Sequence, residues 1–200
     1  AKWLASVGVR EIVVVAQDTT RYGEDIYGES RLPELLTELC KIDGIKWIRT
    51  LYSYPERITD KFIEVLKNEE KLVKYIDMPI QQCNDEVLKR MNRKYTTDEY
   101  KSIVDGLRAA FPDVAVTTDI MVGFPGETDE EFNQTVEFVK SINYADAHIF
   151  QYSPRKGTVA ASMPDQVAPE IKDKRSKKVL AISKKKQREM EKSYVGKTVK

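Results

Sequence analysis

The chain has 200 residues, of which 41% are hydrophobic and 32% are charged, and its formal net charge is +1. This length can bury one sizeable core, whereas no apolar run approaches the roughly 18 residues of a membrane-spanning helix and no signal-peptide pattern opens the chain. The two cysteines, Cys40 and Cys83, are too few and too far apart for a disulfide framework or a Cys-x-x-Cys metal site. We therefore expect a globular protein with reduced thiols, and we expect Cys40 to pack in the core.

One pattern repeats along the chain: an apolar, β-branched run ends in a small polar cluster, and a helical pattern follows. The predicted strands are Glu11–Ala16, Trp47–Leu51, Leu72–Ile80, Val114–Val122 and Ala147–Phe150. Alternation of strands and helices predicts a parallel sheet. Polar groups that follow successive parallel strands fall on one rim, where α/β enzymes place their active sites.

Apolar residues at helical spacing predict the helices between these strands. The chain opens with the end of a helix, closed by Gly8. Thr59 is a predicted N-cap, and so is Thr128 or Asp129. The remaining predicted helices are Pro33–Ile42, Thr59–Lys67, Asn84–Met91, Thr97–Phe111 and Asp129–Ile142, with a long basic helix from Ala168 onward.

The charges are unevenly distributed. Residues 171–200 contain 12 Lys and Arg against 3 Asp and Glu, whereas residues 1–170 contain 21 against 29. Pro164 and Pro169 mark the boundary, so we predict a core over residues 1–165 and a basic helix over residues 166–200. Such a basic segment can bind nucleic acid or a ribosomal surface. It can equally be a solvated helix face or a linker.

The sharpest local motif is the segment Thr118–Thr128, in which Gly123 and Gly126 flank Pro125 at the end of a strand. Glycines at such a place let the backbone approach a ligand closely. The N-terminus of the next helix offers free N–H groups to an anion. The alternative is a tight strand–helix turn that needs only glycine.

Other polar residues follow the remaining strands. Gln17 and Asp18 suit recognition of an ammonium or hydroxyl group, or they cap a local turn. Gln81 can hydrogen-bond a polar ligand, and Arg93 and Arg155 can pair with a ligand carboxylate or lie on the solvated surface. The single histidine, His148, falls within the last strand and is more typical of a structural residue. No Ser-His-Asp set and no phosphate loop can be assembled, so no catalytic residue is assigned.

The chain resembles a known family at these same residues. It resembles the radical S-adenosylmethionine (radical SAM) methylthiotransferases, and among them the RimO-type branch. The segment Ala16–Gly23 favours this branch over the MiaB-like tRNA methylthiotransferases. The segments that carry the resemblance are Val15–Gly23, Leu51–Pro55, Tyr75–Gln81, Met91–Thr96, Thr118–Glu127 and Phe150–Thr158.

The resemblance implies an α/β fold: a partial (β/α)6 TIM-like barrel, truncated at its N-terminus and followed by a basic helix. It implies S-adenosylmethionine and two [4Fe–4S] clusters as cofactors. The family's Cys-x3-Cys-x2-Cys would lie upstream of the helix that ends at Gly8, so the cluster ligands are expected outside this chain and no metal ligand is assigned within it. Thr198 and Val199 would begin a C-terminal TRAM domain.

The implied reaction converts the β-carbon C–H of an aspartate in ribosomal protein S-twelve to C–S–CH3, through a 5′-deoxyadenosyl radical and sulfur from an auxiliary cluster. The implied partners are the small ribosomal subunit and an electron donor such as a flavodoxin or ferredoxin, in the cytoplasm and without a membrane. The chain alone would be inactive. The alternatives are a tRNA-adenosine methylthiotransferase and a noncatalytic binding scaffold.

The resemblance also implies cofactor-binding roles for individual residues. Gln17 and Asp18 would hold the methionine amino group. The methionine carboxylate or ribose would be faced by Ser53, Gln81 and Arg93. The adenine–ribose side would be lined by Asp119, Val122 and Gly123, and the rim of the last strand would be closed by Gln151, Tyr152 and Arg155.

Overall fold

The computed structural model describes residues 1–198. Val199, one of the two residues predicted to begin a TRAM domain, lies outside this range. The strands are β1 (Glu11–Val14), β2 (Trp47–Thr50), β3 (Tyr75–Asp77), β4 (Ala115–Val122) and β5 (Asp146–Gln151). The helices are α1 (Lys2–Ser6), α2 (Glu24–Tyr27), α3 (Leu32–Cys40), α4 (Asp60–Asn68), α5 (Asp85–Arg90), α6 (Thr97–Ala110), α7 (Asp129–Ser141) and α8 (Pro169–Tyr194).

All five predicted strands are present, and the predicted capping residues act as caps. The Thr59 hydroxyl accepts a hydrogen bond from the Phe62 N–H at 3.2 Å. Thr128 forms a reciprocal capping box with Glu131 at the start of α7. The short helix α2 was not predicted, because four residues between two glycines show no helical period; Gly23 and Gly28 flank it with φ values of 85° and 74°.

The chain divides into two compact units, one formed by Ala1–Pro79 with Ser102–Ala115 and the other by Ile80–Lys101 with the residues from Val116 onward. The predicted division into residues 1–165 and 166–200 stays a prediction. In the first unit, β1 and β2 are parallel neighbours in the register Glu11↔Trp47 to Val14↔Thr50. The helix α3 packs on β2 and α4. The buried side chains of this unit include Leu32, Leu36, Ile48, Phe62 and Leu66.

In the second unit, β4 and β5 are parallel in the register Thr117↔Asp146 to Val122↔Gln151. The face of β4 that carries Ile120 and Val122 is buried. The opposite face is more open: His148 of β5 is exposed, and its Nδ1 lies 3.5 Å from Oδ1 of Asp119. His148 therefore lies in the strand as predicted, but its side chain projects from the open face of the sheet.

The basic helix α8 packs against β5 and α7. Val179 is fully buried and Arg175 is only 5% exposed, although the helix is strongly charged. The first half of α8 is therefore part of the packed structure of the second unit. None of the helices in the described chain combines the length and the hydropathy that crossing a bilayer demands.

Candidate cofactor-binding rim

In the first unit, the loop after β1 is organised by Asp18. Its Oδ1 accepts hydrogen bonds from the backbone N–H of Thr20, at 3.0 Å, and from the Thr20 hydroxyl. Its Oδ2 lies 3.7 Å from Nε of Arg57. Both carboxylate oxygens of Asp18 thus have local partners, whereas the preceding Gln17 is exposed. The capping interpretation accounts for the observed contacts of Asp18, and ligand binding by either residue stays a prediction.

The loop after β2 is joined to the loop after β1 and to the end of β3. The Tyr52 N–H donates to Oδ2 of Asp77 at 2.9 Å, and the Ser53 N–H donates to the Asp77 carbonyl at 2.8 Å. The Thr19 N–H donates to the Tyr52 carbonyl at 3.0 Å. Tyr52 adopts a φ of 57°, which a tyrosine rarely adopts without such constraints. Sequence reasoning missed Asp77, because this residue lies inside the run Leu72–Ile80 that was predicted as one strand, whereas β3 ends at Asp77.

Ser53 differs from its neighbours in this loop because its side chain has an unmet hydrogen-bonding capacity. The residue is fully buried, and its Oγ has no hydrogen-bond partner. A buried hydroxyl without a partner costs free energy, so such groups in folded proteins call for an explanation. A polar ligand at this rim would satisfy the Ser53 hydroxyl.

A surface cavity of about 490 Å³ lies beside this loop in the first unit, lined in part by Thr20, Glu24, Arg57 and Phe62. Two of its charged groups are paired with each other, because Arg57 forms an ion pair with Glu24. Arg21 also pairs with Glu24 at 2.8 Å. The pKa of Glu24 is lowered, mainly by its hydrogen bond from Arg21.

In the second unit, Gln81 connects the start of this unit to β4 through its backbone. Its N–H donates to the Asp119 carbonyl at 2.9 Å, and its carbonyl accepts from the Met121 N–H at 2.8 Å. Gln81 has a φ of 66°, so the chain turns sharply at this residue. The half-buried Arg93 follows α5, where its N–H donates to the Leu88 carbonyl at 2.9 Å.

The loop after β4 is held by a buried carboxylate, Glu127, which is 4% exposed. One oxygen accepts from Nε2 of Gln82 at 2.8 Å, and the other accepts from the Gly123 N–H and from Nη1 of Arg175, the latter at 2.8 Å. The same Arg175 nitrogen donates to the Glu127 carbonyl at 2.9 Å. Burial raises the pKa of Glu127, although the hydrogen bonds from Gly123, Arg175 and Gln82 oppose the rise.

Gly123 does approach another group closely, but that group is a side chain of α8. Its φ is 74°, and a Cβ atom at this position would lie 2.2 Å from Cγ of Lys172. Nζ of Lys172 donates to the Tyr152 carbonyl at 3.0 Å. The glycine thus allows the lysine stem to cross the end of β4, and binding of a ligand at Gly123 stays a prediction.

The N-terminus of α7 is also occupied by protein groups. The Glu131 carboxylate accepts from the Thr128 N–H at 2.8 Å and from both Nη atoms of Arg90 at 2.9 Å. The pKa of Glu131 is lowered, mainly by the hydrogen bond from Arg90. The predicted anion site at this helix end therefore already contains a carboxylate of the chain itself.

The rim of β5 combines packed and exposed residues. The Tyr152 ring meets Phe124 edge-on at 5.4 Å, and its N–H donates to the Val122 carbonyl at 2.9 Å. The Tyr152 hydroxyl is buried without a hydrogen-bond partner. Gln151 is exposed, with Nε2 donating to Oγ of Ser176 at 3.1 Å, and Arg155 is exposed.

The structure thus brings Asp18 and Ser53 to neighbouring loops of the first unit. In the second unit, the β4–β5 register brings Val122 and Gly123 next to Gln151 and Tyr152. Gln17 and Arg155 are exposed residues with no such local arrangement. The joint role of the eleven predicted residues in cofactor binding stays a prediction. Sequence reasoning missed Glu127 and Arg175, because a buried ion pair between residues so far apart leaves no local pattern.

The two cysteines do not fit a metal cluster. Both are buried and free. Burial raises the pKa of the Cys40 thiol to about 11, and burial also raises the pKa of Cys83, so neither readily forms the thiolate that iron needs. Within residues 1–198, no three His, Cys, Asp or Glu side chains are grouped to hold a metal ion. Cys40 packs in the core, as predicted.

Comparison with known proteins identifies the class. The family description "Radical SAM superfamily" matches residues 1–139, and the chain belongs to this superfamily. Solved structures with a similar fold include the radical S-adenosylmethionine methyltransferase TsrM from Kitasatospora setae, with a TM-score of 0.58, 15% identity and coverage of 75% of this chain and 29% of TsrM. The archaeal Elp3 from Methanocaldococcus infernus gives a TM-score of 0.56 at 15% identity, over 92% of this chain and 47% of Elp3. These two structures confirm the α/β fold expected of a partial radical SAM barrel.

Curated relatives are more similar in sequence. The "Ribosomal protein uS12 methylthiotransferase RimO" of Alkaliphilus oremlandii is 46% identical over 196 residues, which is 98% of this chain and 45% of that protein. The protein of the same name from Clostridioides difficile is 45% identical over 198 residues, which is 99% of this chain and 45% of that protein. The chain therefore spans about half the length of the curated relatives it matches.

Proposed function

We propose that the chain is the radical SAM core of a RimO-type methylthiotransferase. The complete protein converts an aspartate β-carbon C–H of ribosomal protein S-twelve, also called uS12, to C–S–CH3. The observation that carries this proposal is the similarity to uS12 methylthiotransferases along nearly the whole chain, at close to half of all positions. The substrate is a proposal because the matched relatives are about twice as long as the chain.

S-adenosylmethionine is the proposed cofactor, and the buried Ser53 hydroxyl supports its placement. That hydroxyl has no protein partner, so a ligand's carboxylate or ribose hydroxyl could complete its hydrogen bonding. Gln17 and Asp18 would contribute on the amino-group side, and Arg93 on the carboxylate side. Asp119, Val122 and Gly123 would lie on the adenine–ribose side.

When bound beside a reduced [4Fe–4S] cluster, S-adenosylmethionine supplies a 5′-deoxyadenosyl radical that can abstract hydrogen from an unactivated carbon. The task of this chain's own residues is positional. The loop that follows β2 is joined to the loop after β1 by the Thr19–Tyr52 hydrogen bond and to the end of β3 by the Ser53–Asp77 hydrogen bond, and together these bonds fix the backbone around Ser53. Fixed loops orient a ligand and limit the access of water and stray hydrogen donors.

The cluster ligands do not come from Cys40 or Cys83, whose thiols are buried. We propose that both [4Fe–4S] clusters are bound by cysteines of the complete protein outside this chain. A flavodoxin or ferredoxin is the proposed electron donor. Because the proposed substrate is a ribosomal protein, the proposed location is the cytoplasm.

The test is mass spectrometry of ribosomal protein S-twelve and of bulk tRNA from cells with and without the complete gene. We expect one aspartate of the ribosomal protein to lose its methylthio group in the deletion strain, while tRNA modification stays unchanged. Loss of a methylthio group from tRNA, with an unchanged ribosomal protein, would show a MiaB-like enzyme instead. If neither the ribosomal protein nor tRNA changes, the complete protein acts as a methylthiotransferase on neither of them, and the proposal is wrong.

A further inference from the structure

The cations of α8 fall into two groups that differ in their partners. In the first half of the helix they are used within the protein: Lys172 donates to the Tyr152 carbonyl, and Arg175 binds Glu127 and, at 2.8 Å, Asp129. Lys177 pairs with Asp173 at 2.7 Å. The contacts of Lys172 and Arg175 attach the helix to the rest of the second unit, and the Lys177–Asp173 pair lies within the helix itself.

The second half of α8 presents cations that the protein does not use. Lys184, Arg188 and Lys192 are exposed, and within the described chain none of the three has an ion pair or a side-chain hydrogen bond. We call these three residues the basic stripe. They are spaced four residues apart, so they lie along one side of the helix with an axial rise of about 6 Å per step. Lys185 flanks the stripe, with Nζ 3.9 Å from Oε1 of Glu189.

Lys186 does not belong to the stripe. It is half-buried, and its Nζ donates to Oδ1 of Asn143 at 2.9 Å. The run Lys184–Lys186 is continuous in sequence, but the helix separates its members into an outward-facing group and an inward-facing residue. This separation supplies a control, because neutralising Lys186 removes the same charge from the same helix.

The chemistry around the basic stripe fits a phosphate backbone better than a protein surface. A shallow depression of about 430 Å³ is lined by Ala181, the stripe, Lys185 and Glu189. Ala181 is the only apolar residue in this lining, and no aromatic residue is present. Protein interfaces usually centre on aromatic or aliphatic anchors. Contacts to nucleic-acid phosphates instead need cations at intervals and carry no base specificity.

We propose that the basic stripe docks the protein onto the phosphate backbone of RNA exposed at the surface of the small ribosomal subunit. The choice of ribosomal RNA over other RNA rests on the proposed function. The stripe binds without reading the base sequence, and it acts in docking only. A ribosomal protein substrate is surrounded by RNA, so a cationic face would favour encounter with the subunit.

The experiment compares two triple variants of the full-length protein, each with three fewer positive charges. The first removes the stripe (Lys184→Gln, Arg188→Gln, Lys192→Gln). The matched control neutralises Lys140, Lys177 and Lys186, which have the protein partners Glu137, Asp173 and Asn143. Binding to isolated small ribosomal subunits is measured over a series of salt concentrations, with circular dichroism as the check on folding.

We expect the stripe variant to bind subunits roughly tenfold or more weakly at low salt, and the slope of log affinity against log salt to fall by about 2 to 3. The control variant should change binding much less. Equal losses in the two variants would show an effect of net charge and would overturn the proposal. So would unchanged binding in the stripe variant.

Competition experiments identify which polyanion the basic stripe binds. Bulk tRNA and polyglutamate are added as competitors for the wild-type protein. If tRNA displaces the protein from subunits at a lower concentration than unlabelled subunits do, the stripe binds tRNA. If polyglutamate displaces it as effectively as RNA does, the stripe binds acidic polypeptides. Either result overturns the proposal. Cleavage of S-adenosylmethionine without substrate is measured in parallel. Its absence in the wild type, together with stripe-dependent subunit binding, would contradict the proposed function and leave the docking surface intact.

Discussion

The strand-end loops of the two units look alike in sequence but use their polar groups differently. In the second unit, the loop after β4 is internally satisfied: Glu127 binds Gly123, Gln82 and Arg175, and the next helix is capped by Thr128. In the first unit, the loop after β2 contains Ser53, whose buried hydroxyl has no partner.

This difference shows that a glycine-rich turn with polar residues is not by itself evidence of a ligand site. The motif around Gly123 was the sharpest in the sequence, and its hydrogen-bonding groups stabilise the contact with α8. The less conspicuous Ser53, like Tyr152 at the end of β5, has a buried hydroxyl with hydrogen-bonding capacity to spare. Substitutions in the β4 loop should therefore act mainly on stability, and substitution of Ser53 should act mainly on binding.

The largest expected effect is at Arg175. The substitution Arg175→Met leaves the Glu127 carboxylate buried without its cation, and breaking a buried pair in this way typically costs about 3–5 kcal/mol. Urea unfolding of the full-length protein measures the loss. The control is Lys177→Met on the same helix, whose exposed ion pair contributes at most about 1 kcal/mol. A loss below that of the control would contradict the structural role of the Glu127–Arg175 pair.

An intermediate effect is expected at Ser53, on binding instead of stability. Ser53→Ala removes a hydroxyl without a partner, so the free energy of unfolding should stay the same or rise slightly. The affinity for S-adenosylmethionine, measured by calorimetry on the anaerobic full-length protein, should fall several-fold to roughly tenfold.

Thr19 is the opposite case, because its buried hydroxyl does have hydrogen-bond partners. Its hydroxyl donates to the Leu51 carbonyl and accepts from the Ala16 N–H at 3.2 Å. Thr19→Val should therefore destabilise the fold by about 1–3 kcal/mol. If Ser53→Ala destabilises the protein as much as Thr19→Val and binding is unchanged, the contrast between the two loops is wrong.

The smallest expected effect is a pH dependence in the first unit. The Glu34 carboxylate accepts from Lys61 at 2.6 Å and from Arg31 at 2.9 Å. Chiefly through the Lys61 hydrogen bond, its pKa is lowered from about 4.5 to about 2. A lowered folded-state pKa stabilises the fold at pH values above the unfolded-state value, and this stabilisation is lost as the pH falls from about 4.5 toward about 2.

The measurement is the denaturation midpoint of the wild type and of Glu34→Gln at neutral and acidic pH. Because the pair is partly exposed, we expect the wild type to be more stable by less than about 1 kcal/mol at neutral pH. The difference should disappear near pH 2. A difference that grows on acidification would contradict the assigned direction of the pKa.

The sequence by itself determined the order and type of the main elements. Apolar, β-branched runs located all five strands and period-3.6 patterns located the long helices, because both patterns follow directly from which side chains must be buried. Local capping was equally readable, as at Thr59 and Thr128, since a cap involves residues within one turn. The superfamily was also recognisable, because its motifs are ordered along almost the whole chain.

Only the tertiary structure decided which polar residues are used internally and which retain binding capacity. The Glu127–Arg175 pair joins residues 48 positions apart, and the sequence carries no period that links them. The same holds for Lys186 facing inward while Lys184 faces outward, which depends on the rotation of α8 against α7 and β5. Hydrogen bonds and ion pairs between distant residues are set by packing geometry, so a sequence pattern identifies candidates for a site while the folded contacts select among them.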